Sequence, residues 1–144
     1  MLPPLNENGD LPPGIHSAEW AEVTERFGAG SKARQRGLAK LRLLYDLAQR
    51  TGKLTRFLIF GSFVSATPSP RDVDVILVMA ADFKHEAAPR ESRTLFSHAD
   101  AEARFGASIF WLREGMLPAD IEREFFDTWQ TKRDGTKRGI VEVR

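Results

Sequence analysis

The chain has 144 residues, 42% of them hydrophobic and 28% charged, and a net charge of +1 at pH 7, which is typical of one globular domain. This charge gives no global attraction to nucleic acid or to a membrane, and the absence of cysteine excludes a disulfide framework, a thiol nucleophile and a thiolate metal site. With neither a secretory signal nor an apolar run near the roughly 20 residues that span a bilayer, we expect a cytoplasmic protein with no membrane partner.

The N-terminal third is predicted to contain an arm and two helices. Residues 1–16 include four prolines and two glycines, which favours an extended arm over a regular element. Ser17 is predicted to cap a helix over 17–27, because apolar residues recur there at helical spacing. Ser31 is predicted to cap a longer helix over 31–50.

The rest of the chain alternates between apolar strands and amphipathic helices. The strand predicted at 73–79 is apolar on both faces after Asp74, which indicates an interior strand of a sheet covered by helices. The further predicted elements are a strand at 55–60, a helix at 91–105, a strand at 107–112, a helix at 116–130 and an edge strand at 139–143. The expected fold class is therefore α+β, with a small mixed sheet flanked by helices and two leading helices, in a single domain over 17–144.

Residues 61–75, with the sequence GSFVSATPSPRDVDV, contain the candidate binding and metal-ligating residues of the chain. Side chains two apart in a strand point the same way, so Asp72 and Asp74 should project together at the start of their strand. Gly61 would let the backbone approach a phosphate closely, and Ser62 could donate a hydroxyl or amide hydrogen to it. Since Mg²⁺ binds one or two carboxylates together with phosphates and water, this layout can hold a cation beside a nucleotide.

This arrangement resembles the nucleotidyltransferase superfamily, which includes DNA polymerase beta and the small bacterial MNT-type proteins. Its pattern is a strand ending in Gly-Ser, a short helical turn, and an acidic-x-acidic pair in the next strand. The resemblance implies that Asp72 and Asp74 are catalytic and bind Mg²⁺ or Mn²⁺, and that Gly61 and Ser62 bind an NTP. The implied reaction transfers a nucleoside monophosphate to a hydroxyl of a protein or RNA acceptor.

Three segments, one of them the start of 61–75, also resemble a group of bacterial proteins that carry the same core and have no assigned activity. They are LPPGIH at 11–16, GSFV at 61–64 and GIV at 139–141. MNT-type relatives also occur in toxin–antitoxin modules. By that analogy, a partner protein from the same operon is a further expectation.

One position departs from the superfamily pattern. The resemblance implies a third carboxylate on a later strand, and in the strand predicted at 107–112 the likeliest equivalent position is Ser108. Two-metal phosphoryl transfer uses that acid to hold the second ion. The alternative function is therefore a catalytically weak or inactive nucleotidyltransferase-fold protein with a binding or regulatory, antitoxin-like role, unless an acid outside the strand, such as Asp100, Glu102 or Glu114, replaces the missing ligand.

Two other interpretations stay open from the residues alone. Asp74 has apolar neighbours and should be partly buried, so Arg71 or Arg56 could be its salt-bridge partner in a purely structural account. Basic residues also cluster within 31–50 and near the C-terminus. These clusters could attract a triphosphate or a phosphate backbone, although a solvated helix face and a basic tail explain them more simply. Phe110 and Trp129 are interpreted as core and anchor residues.

Overall fold

The computed structural model describes all residues, 1–144, and confirms the α+β fold. Its strands and α-helices are, in chain order, β1 (Ile15–Ala18), α1 (Trp20–Phe27), α2 (Lys32–Gln49), β2 (Leu54–Phe60), β3 (Val73–Met79), α3 (His98–Phe105), β4 (Ala107–Arg113), α4 (Ala119–Gln130) and β5 (Ile140–Val143). Short 3₁₀ helices lie at Ser62–Val64, His85–Ala87 and Arg90–Phe96. None of the helices combines the length and the apolar character needed to cross a bilayer.

The five strands form one mixed sheet in the order β1-β5-β2-β3-β4. β2 is antiparallel to both β3 and β5, whereas the pairs β3–β4 and β1–β5 are parallel. The prediction of β5 as an edge strand is wrong, because β5 pairs with β1 on one side and β2 on the other. The edges of the sheet are β1 and β4.

The N-terminal boundaries differ from the prediction in one helix and agree in the next. Ser17 lies in β1, and α1 begins after Glu19 without a side-chain cap, so the predicted role of Ser17 is wrong. Ser31 does cap α2, since its hydroxyl accepts the backbone N–H of Arg34 at 3.2 Å.

Two predicted helices are shorter in the structure. The segment predicted as one helix over 91–105 is a 3₁₀ helix followed by α3, with Ser97 in an extended conformation between them. The helix predicted from residue 116 begins only at Ala119, because extended Pro118 occupies its N-cap position. A proline there is tolerated since the first N–H groups of a helix have no partner within it.

Each face of the sheet packs against its own apolar cluster. Alternate β3 side chains, such as Val75 and Leu77, enter the larger cluster with α1 and α2. Ile76 and Val78 enter the smaller cluster, which includes Phe126 of α4. Strand alternation therefore places Asp74 on the α4 face, beyond the end of the smaller cluster.

The N-terminal arm packs against the folded domain. Leu2 and Leu11 are buried, and the boundary expected at residue 16 falls inside β1. The backbone N–H of Gly139 donates to the carbonyl of Leu11 at 2.9 Å, and a Cβ on Gly139 would overlap the carbonyl of Pro12. The LPPGIH and GIV segments of the sequence are therefore in direct contact.

Arg34 holds the segment after β2 in place. Its guanidinium is buried and donates to the carbonyl oxygens of Phe27 at 3.0 Å, Phe63 at 2.8 Å, Ser65 at 2.6 Å and Thr67 at 2.5 Å. Burial lowers the pKa of this side chain. The charge is balanced by carbonyl dipoles, with no carboxylate within 4.0 Å. One side chain thus joins the end of α1 to residues 63–67.

We expect Arg34→Met to lower the free energy of unfolding by about 2–4 kcal/mol, because buried carbonyl groups would lose a charged donor. Arg36→Met is the matched control, since Arg36 is exposed on the same helix and should change stability by about 0.5 kcal/mol or less. Urea denaturation followed by circular dichroism measures both. Equal losses in the two variants would contradict the role assigned to Arg34.

Candidate functional site

The bend after β2 is closed against Asp74. Gly61 has φ +83° and ψ −160°, a conformation that is essentially restricted to glycine. A Cβ at this position would overlap Oδ2 of Asp74. Ser62 begins the 3₁₀ helix that follows, as the resemblance implies, and its hydroxyl makes no hydrogen bond within the protein. The lack of a side chain at Gly61 is therefore what lets the bend and the carboxylate meet.

Asp74 is the second residue of β3 and lies between two strands. Its Cα pairs with Phe60 of β2 and with Ser108 of β4. Neither arginine considered above as a salt-bridge partner makes an ion pair with it, because Arg56 pairs with Glu142 at 2.8 Å and Arg71 is exposed without an ion pair. The carboxylate is thus half-buried without an ion pair within 4.0 Å.

The pKa of Asp74 is raised from its ordinary value of 3.8 to about 6. Burial is the main cause, and the negative charge of Asp72 acts in the same direction. The nearby Ser108 hydroxyl, a potential donor to the carboxylate, and the positive charge of Arg138 act in the opposite direction. A carboxyl group that costs free energy when ionised, in a cleft, is a feature of many functional sites.

Asp72 lies beside this site and not in the cleft. It immediately precedes β3 and is exposed, and its Oδ1 lies 3.9 Å from the position that a Cβ on Gly106 would take. The ammonium group of Lys40 lies 3.2 Å from that same position. The structure therefore brings Gly61 and Asp74 together, with Ser62 next in the chain but not among the residues that line the cleft. It leaves Asp72 at the margin, close enough for its charge to affect Asp74.

The acids considered as replacements for the third carboxylate lie elsewhere. Glu114 follows the far end of β4, where its backbone N–H donates to the carbonyl of Met79 at 2.8 Å. The five strand residues between it and Ser108 place the two about 20 Å apart. Asp100 and Glu102 are exposed on α3. No cluster of three or more acidic, histidine or cysteine side chains is arranged to hold a metal. The predicted metal ligands are therefore Asp74 and, at the margin of the site, Asp72, a number that suits one Mg²⁺ completed by phosphate and water.

A cleft of about 390 Å³ opens beside Asp74. The C-terminal end of α4 and the segment that follows it form much of its lining. The lining residues are Phe60, Gly61, Asp74, Thr128, Trp129, Thr131, Lys132, Arg133 and Arg138. The aromatic rings of Trp129 and Phe60 have centroids 5.0 Å apart, so Trp129 both anchors α4 to the sheet and borders the cleft.

Sequence reasoning missed Lys132, Arg133 and Arg138 as site residues. The signal was the basic C-terminal cluster, interpreted above as a tail. Its position beside Asp74 depends on the fold-back of residues 131–138 over the sheet, and the residue pattern alone does not predict that contact.

Comparison with known proteins supports a family but no activity. Residues 3–144 match a protein-family model described as a family of unknown function (DUF6932). The chain belongs to this family. No curated protein and no solved structure matches it significantly. The match to the DUF6932 family spans both the N-terminal arm and the C-terminal segment that line or support the cleft.

Asp74→Asn should stabilise the fold at neutral pH. Between about pH 4 and pH 6 the folded protein keeps an Asp74 proton that the unfolded chain has released, so ionisation lowers stability as the pH rises. The free energy of unfolding of Asp74→Asn, minus that of the wild type, should be about 1–3 kcal/mol larger at pH 7.5 than below pH 4. Denaturation across this pH range measures the gain, with exposed Asp46→Asn as the control. A difference that does not vary with pH would contradict the assigned cause.

Gly61→Ala should destabilise the protein by about 2–4 kcal/mol, because it adds backbone strain and a clash with Asp74. Gly30→Ala is the control, since Gly30 has φ +101° with open space around it. In an Asp74→Ala background the cost of Gly61→Ala should fall, and a double-mutant cycle of unfolding free energies measures that coupling. Purely additive effects would contradict the contact.

Proposed function

We propose that this protein is a Mg²⁺-dependent nucleotidyltransferase of the DNA polymerase beta-like kind. It would transfer a nucleoside monophosphate from an NTP to a hydroxyl of an RNA or protein acceptor. One observation carries the proposal: the Asp74 carboxylate, without an ion pair, lies against the Gly61 bend in a cleft that three cationic side chains also line. A carboxylate for a metal and cations for phosphates are the two requirements of a metal-nucleotide site.

The four residues predicted from the sequence would each have a role in this reaction. Asp74 would hold the Mg²⁺ ion, with Asp72 as a second ligand from the edge of the site. When bound, the ion supplies neutralisation of the phosphate charge. Gly61 would bring the backbone of the bend against the carboxylate that holds the ion, and so beside the triphosphate. The Ser62 hydroxyl, which has no protein partner, would donate to a phosphate oxygen.

The chemical step is a displacement at the α-phosphorus. The acceptor hydroxyl oxygen bonds to this phosphorus, the bond from it to the bridging oxygen of the β-phosphate breaks, and pyrophosphate leaves with that electron pair. The hydroxyl proton passes to solvent. Because there is little covalent chemistry for the protein to do, holding the reacting oxygens in line supplies most of the acceleration.

The position of Ser108 favours a second candidate, a protein that binds the metal-nucleotide without transferring it. Ser108 pairs in register with Asp74, at the place where the resemblance implies the third carboxylate. A serine hydroxyl brings no negative charge to hold a second ion. This candidate fits a regulatory or antitoxin-like partner.

The first test is calorimetric titration of the four common NTPs with and without Mg²⁺ or Mn²⁺. We expect metal-dependent binding to the wild type that Asp74→Asn abolishes while the fold stays intact. Binding should also weaken below about pH 6, where Asp74 becomes protonated, since a metal ligand must lose its proton. Unchanged affinity in Asp74→Asn would overturn the metal role.

The second test separates the two candidates. The protein is incubated with NTPs labelled at the α-phosphate, a divalent cation and cell extract. Label on RNA or protein that disappears in Asp74→Asn and Asp72→Ala favours the transferase, with Asp46→Asn as the control. Metal-dependent NTP binding without any transfer of label favours the binding protein.

A further inference from the structure

The segment after α4 folds into a short hairpin, defined here as residues 131–138. Thr131 pairs with Lys137 in an antiparallel bridge, and the backbone N–H of Lys132 donates to the carbonyl of Thr136 at 2.8 Å. The backbone N–H of Arg138 donates to Gln130 at 2.8 Å, which ties the hairpin to the end of α4. The cationic side chains of this hairpin are therefore carried on an ordered backbone.

A buried acid of the N-terminal arm lies beneath two of these cations. The Asp10 side chain is 3% exposed, and its Oδ2 lies 2.9 Å from Nζ of Lys132. Its Oδ1 lies 3.5 Å from Nη1 of Arg138. The side chains of Lys132 and Arg138 remain 25% and 22% exposed. Asp10 thus fixes the buried side of both cations while other N–H donors of each stay available to the cleft.

The charges in the hairpin do not cancel. Lys132, Arg133 and Arg138 bring three positive charges to the cleft, and Asp10 balances one of them. The hairpin also contains Asp134, whose carboxylate accepts hydrogen bonds from Thr136 and does not line the cleft. Arg133 is exposed and has no ion pair within 4.0 Å. By contrast, Lys137 lies in the same hairpin but pairs with Asp127 at 2.7 Å and does not line the cleft. The uncompensated charge is therefore confined to the side of the hairpin that borders Asp74.

We propose that Lys132, Arg133 and Arg138 form a polyphosphate-binding subsite, which holds the outer phosphates of a nucleoside triphosphate. This inference rests on the proposed function, because it assigns the β- and γ-phosphates of the same substrate. A small concave cleft suits a compact polyanion better than an extended phosphodiester backbone, which needs a longer charged track. Arginine suits phosphate through paired N–H donors, and lysine through its point charge.

The test uses inorganic tripolyphosphate in EDTA, so that neither a base nor a metal contributes. We expect the wild type to bind it by calorimetry at low salt, and Arg133→Gln and Arg138→Gln each to weaken binding about five- to tenfold or more, because each loses charge-assisted hydrogen bonds. Lys137→Gln, the same charge change in the same hairpin, should stay within about twofold. Arg133 is exposed and makes no internal ion pair, so Arg133→Gln should retain the fold, which thermal melting checks.

Three results overturn the subsite: no binding of tripolyphosphate to the wild type, equal losses in Arg133→Gln and Lys137→Gln, or no loss in Arg133→Gln. The outcome is distinguishable from that of the proposed function. Tripolyphosphate binding in EDTA that needs Arg133, together with no metal-dependent NTP binding, would support the subsite and reject the nucleotidyltransferase. Metal-dependent NTP binding that Arg133→Gln and Arg138→Gln leave unchanged would support the nucleotide site and reject the subsite.

Discussion

The antiparallel register between β2 and β3 is the constraint on which the site depends. It places Phe60 opposite Asp74, so that the next residue, Gly61, turns back onto the carboxylate. A slip of one residue would move Asp74 to the opposite face of the sheet. The register is fixed by apolar burial on both faces, since Leu58 and Ile76 pack under α4 while neighbouring side chains enter the larger cluster. Burial of apolar side chains therefore sets the direction in which the Asp74 side chain points.

Two buried charged side chains hold the segments on either side of this site in place. Arg34 holds residues 63–67 through carbonyl groups, and Asp10 holds the hairpin through two cations. The two ions are themselves linked, because Asp10 forms a backbone bridge with Ser65, whose carbonyl accepts from Arg34. Buried charges are costly unless they are fully paired. Asp74 is the contrasting case, since it is half-buried without an ion pair and its raised pKa records that cost.

The sequence allowed the centre of this arrangement to be predicted but not its surroundings. β2, β3 and β4 have apolar runs that specify strands locally, and the alternation of Asp and Val predicted the orientation of Asp74. The four-residue β1 has no such signal beside its prolines, and β5 becomes an interior strand only by pairing with it. The contact between Asp10 and Lys132 spans 122 residues. No local pattern predicts it, which is why the basic hairpin was interpreted as a tail.

Membership of a family of unknown function assigns no activity, so the chemistry of the site is the basis for a function. With Ser108 in place of an acid, the proposed site would offer a metal ion little negative charge of its own. The pKa of Asp74, the carboxylate in the cleft, is also raised to about 6. The phosphates of the nucleotide would then have to supply most of the oxygen ligands and most of the charge that hold the ion. Ion and nucleotide should therefore enter as one complex. Under the proposed function, the cations of the hairpin would balance the remaining negative charge of that complex. The small number of carboxylate ligands and the cationic lining of the cleft would then have one common explanation.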